Sequence, residues 1–230
     1  MSDTAPVPAT PPQVSVRALL TGAPRPLLST THELALGARH RQVLDGLEQL
    51  LLDGELAAST IGALAARLEC SRRTLYELAP SKDQLFLLAL DRFMHRIGRE
   101  ALESIDPAAT PAAQLRQYVT ADVRYAFQAA AYDDLSDVPG ARRLLDRHLR
   151  FAATVIERLV ENGIELGAFR ALEPSVVAAV LVAGRVRLAD PDVTDEVSVP
   201  LDAALDHMLD LCLQGLANPP VGPGGQRVVD

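Results

Sequence analysis

The chain has 230 residues, of which 48% are hydrophobic, and a formal net charge of -8 at pH 7. This length and apolar content suffice for the core of one ordinary domain and a small second one. The negative charge argues against a protein that coats nucleic acid without sequence preference, because such proteins bind through many Lys and Arg contacts to phosphates. A sequence-specific DNA-binding protein is not excluded.

The sequence contains no signal for export or for membrane insertion. No run approaches the roughly 18 apolar residues of a membrane helix, and the N-terminus lacks the basic-then-apolar layout of a signal peptide. The two cysteines, Cys70 and Cys212, are far apart and form no disulfide framework. We therefore expect a cytoplasmic protein in a reduced compartment that has no membrane partner.

Residues 1–33 are rich in Pro, Ala, Thr and Ser, which predicts a disordered leader. Arg17 and Arg25 in this stretch are candidates for an arm in the DNA minor groove. A solvated tail without any contact is the simpler interpretation.

The first firm helix is predicted over residues 39–52, where Val43, Leu44, Leu47 and Leu51 recur at helical spacing. Asp53-Gly54 ends it. Two short helices follow, at 60–68 and 71–78, and a turn at Glu69-Cys70 joins them. In the second, only Leu75 and Leu78 have core spacing, so most of RRTLYEL faces outward. This pattern is typical of a helix-turn-helix, whose second helix enters the DNA major groove.

The stretch from Arg39 to Leu85 resembles the TetR family of bacterial regulators. In order, it contains an amphipathic helix, Gly54, a Thr60-led helix, the Ser71-capped RRTLY and Pro-Ser-Lys-Asp-Gln-Leu. The turn has Leu-Glu-Cys where the family usually has Ala-Gly-Val. Glu-Leu-Ala follows Tyr76, where an aromatic or His pair and Phe are usual. The resemblance implies an all-helical protein with a DNA-binding head and a ligand-binding, dimerising body.

The resemblance also implies which residues contact DNA. The cap of the second helix and its first three residues would approach base edges. Tyr76 and Lys82 would contact phosphates, and Thr60 is a third phosphate candidate. The candidate DNA-binding residues are Thr60, Ser71, Arg72, Arg73, Thr74, Tyr76 and Lys82. Helix capping alone is enough to explain Thr60. For the charged residues, the alternative interpretation is that they are solvated surface side chains without a DNA contact. Between residues 39 and 84, six positive residues face seven negative ones, which weakens the DNA interpretation.

The sequence after the DNA-binding head, which spans residues 34–82, predicts a helical body over residues 83–217. Helices are expected at 82–105, 111–131, 141–162, 174–189 and 200–216, followed by a flexible tail at 218–230. This makes an all-α protein with about nine helices and no convincing strand. The helix that starts at Lys82 runs from the head into the body, so it is the expected lever between them.

An effector pocket is expected among the central helices of the body, because TetR-like proteins bind small molecules there. The candidate lining residues are Phe93, Ile97, Tyr118, Asp122, Tyr125 and Leu149. The alternative is that the tyrosines and Asp122 lie at the wet edge of an amphipathic helix. Asp133, Asp134 and His148 have no ligand spacing that closes a metal site, so neither a metal nor a cofactor is predicted.

The last two helices are apolar on more than one face, which predicts a homodimer built as a four-helix bundle. The candidate interface residues are Val177, Val180, Leu181, Leu205, Met208 and Leu209. Burial within a single chain is the competing explanation.

The function predicted from the sequence is that of a ligand-responsive transcriptional repressor. It would bind a pseudo-palindromic, double-stranded operator as a dimer and a small-molecule effector in its body. The alternative is a helical ligand-binding or protein-interaction module whose helix-turn-helix no longer reads DNA. No nucleophile and base pair, phosphate loop or metal motif predicts an enzyme.

Overall fold

The computed structural model describes residues 19–121, 138–190, 193 and 196–217. These residues form nine α-helices and no strand beyond an isolated bridge between Phe169 and Ala217, which confirms the predicted all-α fold. The helices are α1 (Thr30–Ala35), α2 (Ala38–Leu52), α3 (Ile61–Arg67), α4 (Arg72–Leu78), α5 (Lys82–Glu103), α6 (Pro111–Thr120), α7 (Ala141–Glu165), α8 (Pro174–Leu188) and α9 (Leu201–Leu216).

Hydroxyl side chains start most of the helices in the first half of the chain. Thr60, Ser71, Ser81 and Thr110 each accept a hydrogen bond from the backbone N–H three residues further on. Each bond satisfies one of the N–H groups that a helix leaves free at its first turn. The local sequence therefore sets the helix starts of the head to within a residue.

The head is a small core that α2, α3 and α4 form together with the start of α5. Leu44, Leu47, Leu64 and Leu75 are fully buried in it. Leu75 is the fully buried residue of α4, and Leu78 packs partly buried against the same core. Arg72, Arg73, Tyr76 and Glu77 are exposed.

Helix α5 passes from the head core into a second core, in the body. Phe86 and Phe93 are buried in the first cluster, whereas Ala101 and Leu102 are buried in the second. Helix α5 therefore contributes to both cores, which is the position that the sequence predicts for a lever.

The body packs α6 to α9 around the second core, and α7 is its longest helix. Near the end of α7, a Cβ atom at Gly163 would lie 2.1 Å from the ring of Phe169. Only glycine lets the chain after α7 fold back so closely. Gly167, at φ 70°, makes the turn that brings Phe169 there.

The prediction of a disordered leader through residue 33 is wrong for residues 19–33. Leu19 is 1% exposed and belongs to the body core. Leu27 N donates to Asp91 Oδ2 at 2.6 Å, and Arg158 donates to the carbonyls of Leu19 and Thr21. Composition alone missed this segment, because its partners lie on distant helices. Residues 1–18, including Arg17, lie outside the described part.

Three further predictions concern residues beyond the described ranges. The helix expected at 111–131 is described as far as Thr120, and the connection from 122 to 137 lies outside the described residues. The predicted tail from 218 also lies outside them. Within the described part, none of the helices has the length and apolar content to cross a membrane.

Candidate functional site

The turn between α3 and α4 is a Schellman motif with an unusual residue in its left-handed position. Cys70 N donates to Ala65 O at 2.8 Å and Glu69 N donates to Ala66 O at 3.1 Å. Glu69 has φ 50°, the one positive φ at a non-glycine position among the described residues. The turns after α2 and α7 have the same hydrogen bonds with Gly54 and Gly167 in this position, as such turns normally require.

Arg39 supports this turn from the start of α2. Its guanidinium donates to the carbonyls of Leu68 and Glu69, which are among the acceptors that α3 leaves free at its end. A positive side chain at a helix C-terminus also has favourable electrostatics. The turn is therefore held by a residue 30 positions away from Glu69, and sequence spacing did not identify this role.

Helix α4 presents its polar residues on the face opposite Leu75. Arg72, Arg73 and Tyr76 are exposed, and Tyr76 is 52% exposed despite its large ring. An exposed aromatic residue one turn after two arginines suits contact with a phosphate backbone. The helix thus has the size and the surface of a helix that enters the major groove.

Thr60, Ser71 and Thr74 have structural roles in the free protein. Thr60 and Ser71 cap α3 and α4, and Ser71 Oγ accepts from Thr74 N at 3.0 Å. The hydroxyls of Ser71 and Thr74 also lie 2.9 Å apart, at hydrogen-bond distance. Both hydroxyls are at the first turn of α4, so they lie where a groove-bound helix meets base edges.

Arg72 and Arg73 leave α4 in different directions. The Arg72 guanidinium lies over the first turn of α3, where a Cβ atom at Gly62 would be 2.9 Å from its Nη2. Arg73 Nε donates to Glu77 Oε1 at 2.9 Å. Glu77 also contacts His40 Nε2 at 3.1 Å. Hydrogen bonds from Arg73 and His40 lower the pKa of Glu77, which favours the charged form of this carboxylate on α4.

Lys82 is the one lysine of the chain, and it is partly buried. Its Nζ donates to the carbonyl of Ala57, in the loop between α2 and α3. The lysine predicted to contact phosphate thus also ties this loop to the start of α5.

Two ion-paired arginines join α5 to the first two helices. Arg92 pairs with Glu33 at 2.7 Å, with Asp45 at 2.8 Å and with Glu48, while Arg96 pairs with Glu48 at 3.0 Å. Burial alone would lower the pKa of Arg92, but the surrounding carboxylates outweigh burial and raise it. The side chain of Glu48 is 7% exposed, so the ion pairs that join α1 and α2 to α5 have a buried carboxylate at their centre.

Asp91 is the centre of a second polar cluster, and it is 1% exposed. Its Oδ2 accepts from Leu27 N, while Oδ1 lies 2.9 Å from Arg147 Nη2 and 3.3 Å from His148 Nε2. Burial opposes the charge of Asp91, yet the hydrogen bonds from His148 and Leu27 outweigh burial and lower its pKa. Burial lowers the pKa of His95, one turn further along α5.

This cluster lies in the wall of a cavity of about 400 Å³ between the 20–33 segment and α5. The wall is apolar near Leu88, Met94 and Phe151, and it is polar near Asp91 and Arg92. A few polar groups in a largely apolar wall are typical of small-molecule sites. The sequence did not predict this cavity, because one of its walls is the segment expected to be disordered.

The residues predicted to line a pocket lie elsewhere. Phe93 and Ile97 are buried in the head core and Tyr118 in the body core, while Leu149 is partly buried. None of these four lines the cavity beside Asp91. Asp122 and Tyr125 are outside the described residues.

The predicted dimer residues divide into inward and outward groups. Leu181, Leu205 and Leu209 are at most 1% exposed within their own chain, so their assignment to a dimer surface is wrong. Val177 and Met208 are partly buried, and Val180 is 54% exposed.

The exposed apolar surface of α8 follows a helical stripe, in which Val180 is a predicted interface residue and the other residues are not. It is exposed at spacings of three and four residues, and it comprises Val176, Ala179, Val180, Ala183 and Val186. Leu211 of α9 is also exposed, by 73%. We call these six residues the apolar stripe.

Comparison with solved structures shows that the chain has the fold of TetR-family regulators. A regulatory protein of the TetR family from Rhodococcus RHA1 is 18% identical, with a TM-score of 0.60 over 79% of this chain and 98% of that one. SmeT, the repressor of a multidrug efflux pump of Stenotrophomonas maltophilia, is 18% identical, with a TM-score of 0.63 over 83% and 96%. AibR, solved with isovaleryl coenzyme A and operator DNA, is 16% identical, with a TM-score of 0.56 over 75% and 97%. Neither the protein-family models nor the curated proteins give a match to this chain.

Proposed function

We propose that this protein is a transcriptional regulator that binds operator DNA as a homodimer and responds to a small molecule. The observation that carries the proposal is α4. It is a seven-residue helix with its buried anchor at Leu75 and with Arg72, Arg73 and Tyr76 exposed on its outer surface. A short polar helix supported in this way has no packing role that would explain its surface.

DNA recognition would depend on the first turns of α4. An arginine that binds the O6 and N7 atoms of guanine contributes about 1–3 kcal/mol of discrimination against other bases. Arg72 and Arg73 are the candidates for such contacts, Ser71 and Thr74 lie beside them, and Tyr76 is placed for a phosphate. Thr60 and Lys82 would add phosphate contacts at the edges of the motif.

A dimer would present two copies of α4 to successive major grooves. Helix-turn-helix dimers read half-sites about one helical turn apart, so a dimer makes twice the DNA contacts of a single head. The apolar stripe supports this arrangement, because a second copy of α8 and α9 would cover it in a four-helix bundle. The exposed Val176, Val180 and Leu211 would then be buried at the interface.

The cavity beside Asp91 is the proposed effector site. It borders α5, which also carries the head, and Arg92 in its wall pairs with Glu33, Asp45 and Glu48 of the first two helices. A ligand that favours one position of α5 shifts the population of head spacings and so changes operator affinity. Repression is the proposed mode of action, since SmeT is a repressor and AibR was solved with both a ligand and operator DNA. The pocket predicted around Tyr118, Asp122 and Tyr125 stays a prediction.

A second candidate function is a ligand-binding or interaction module that no longer reads DNA. The Arg73–Glu77 ion pair favours it, because Glu77 neutralises one of the two arginines and adds negative charge to the surface that would face phosphates. The two proposed functions differ in the DNA fragments that the purified protein is expected to select.

The test is selection of genomic DNA fragments by the full-length protein, followed by sequencing. We expect a pseudo-palindrome whose half-sites lie about one helical turn apart. Recovery of unrelated fragments alone would contradict the regulator and favour the second candidate.

A further inference from the structure

Three metal-binding side chains meet at the wall of the cavity. Asp91 and His95 are one turn apart on α5, and His148 approaches them from α7. His148 Nε2 lies 3.3 Å and His95 Nε2 lies 3.7 Å from the same oxygen, Asp91 Oδ1. The three donor atoms all lie within 4.8 Å of one another. We propose that Asp91, His95 and His148 form a binding site for Zn²⁺.

The separations of both histidines from Asp91 Oδ1 are near the value for a tetrahedral ion. Zinc bonds of about 2.0–2.1 Å at tetrahedral angles place two ligand atoms ~3.3 Å apart. Octahedral ions with bonds of similar length require neighbouring ligands ~2.9 Å apart. The observed separations of 3.3 and 3.7 Å match the tetrahedral value more closely. Two imidazoles and one carboxylate are also a common protein ligand set for zinc.

One of the three donors has no hydrogen-bond partner among the described residues. His95 Nε2 is buried and accepts or donates no hydrogen bond within the described part of the chain. A buried polar atom without a partner costs free energy, and a metal bond would remove that cost. The rings of His95 and His148 are in contact, with centroids 4.8 Å apart, and both direct their Nε2 atoms towards Asp91 Oδ1.

The second oxygen of Asp91 is already oriented. Leu27 N donates to Oδ2 at 2.6 Å, which leaves Oδ1 turned towards the histidines. Metal-binding carboxylates commonly have such outer hydrogen bonds, which fix their direction. The cavity of about 400 Å³ also borders all three residues, so an ion has access and a water molecule has room as a fourth ligand.

The Arg147 guanidinium lies beside the proposed metal site. Its Nη2 lies 2.9 Å from Asp91 Oδ1 and would repel an incoming cation. The Arg147 side chain is 38% exposed, so it can turn to solvent when an ion replaces its charge. Arg147 is therefore a competitor of the metal, so its removal separates a metal site from a purely structural His–Asp cluster.

The test is titration of the metal-free, full-length protein with Co²⁺ and Zn²⁺. Cobalt reports its geometry by its visible spectrum, and zinc affinity follows from competition with a chromophoric chelator. We expect one tetrahedral Co²⁺ per chain, displaced by Zn²⁺ with a Kd below about 1 µM. His95→Gln should weaken binding at least about tenfold, whereas His207→Gln, an exposed histidine on α9, should leave it unchanged. Helix content from circular dichroism checks that each variant is folded.

Arg147→Gln is the decisive variant, because it removes the competitor and keeps all three ligands. We expect it to bind Zn²⁺ more tightly than the wild type by about three- to tenfold. Unchanged or weaker binding in this variant would overturn the proposal, as would wild-type protein that binds neither ion. A thiolate charge-transfer band in the cobalt spectrum would assign the ion to Cys70 or Cys212 instead. DNA binding enters none of these measurements, so the metal site and the proposed function can fail separately.

Discussion

Arg73 Nε donates to Glu77 Oε1 at 2.9 Å, one turn further along the recognition helix. The same carboxylate contacts His40 on α2. The helix proposed to enter the major groove therefore carries an acidic group that competes with DNA phosphates for its arginine. We therefore expect this pairing to keep the affinity of the head for DNA below what its arginines alone would provide.

Removal of this acidic group should strengthen DNA binding. We expect Glu77→Gln to raise the affinity for the selected operator about three- to fivefold at low salt, because Arg73 and His40 are released and a negative charge is lost. Fluorescence anisotropy with labelled operator measures the change. Glu161→Gln is the matched control, since it removes the same charge from an exposed position on α7. An unchanged affinity for Glu77→Gln would mean that α4 does not face DNA.

The turn of the helix-turn-helix should gain stability from glycine. Glu69 has φ 50°, a conformation that glycine adopts without strain. We expect Glu69→Gly to raise the free energy of unfolding by about 1 kcal/mol, as measured by urea denaturation. Glu69→Ala removes the charge but keeps the Cβ atom, so it should give little gain. Equal gains from both variants would show that the charge, and not the backbone, limits the turn.

The buried carboxylate between the head and the lever should be costly to remove. We expect Glu48→Ala to lower the free energy of unfolding by about 2–4 kcal/mol, because Arg92 and Arg96 lose a largely buried partner. Asp45→Ala is the control, since Asp45 also pairs with Arg92 but its side chain is 66% exposed. Asp45→Ala should lower the free energy of unfolding by less than about 1 kcal/mol. If thermal unfolding shows that both variants lose the same stability, burial of Glu48 is not the cause of its larger expected effect.

A charge in the apolar stripe should dissociate the dimer. Val180 is 54% exposed in the single chain, so Val180→Asp costs little in the monomer but places an unpaired charge inside the proposed interface. We expect the dimer Kd to rise at least about tenfold in light scattering. Arg142→Gln, which makes the same change in net charge at an exposed position on α7, should remain dimeric. A dimeric Val180→Asp protein would place the interface elsewhere.

Local signals in the sequence are sufficient to predict the short helices of the head. Thr60 and Ser71 are helix caps, and Leu75 has the spacing of a buried residue, so α3 and α4 were predicted nearly to the residue. These features depend on neighbours within one turn of helix, which the sequence displays directly.

Features that depend on distant partners were missed. Asp91 meets Leu27 and His148, which lie 64 and 57 positions away, and no periodicity reports such contacts. The composition of residues 19–33 favoured disorder, yet this segment is held by Leu19 in the body core. Helix α8 is apolar on all sides, so spacing could not separate the buried Leu181 from the exposed Val180.

The most direct test of DNA reading is the affinity of the full-length protein for two duplexes of equal length and composition. One contains the selected pseudo-palindrome and the other a shuffled sequence, and anisotropy is measured across a range of salt concentrations. We predict that the palindrome binds at least about 10³-fold more tightly at physiological salt. Equal affinities that fall together as salt rises would show charge-driven binding only and would contradict a sequence-specific regulator.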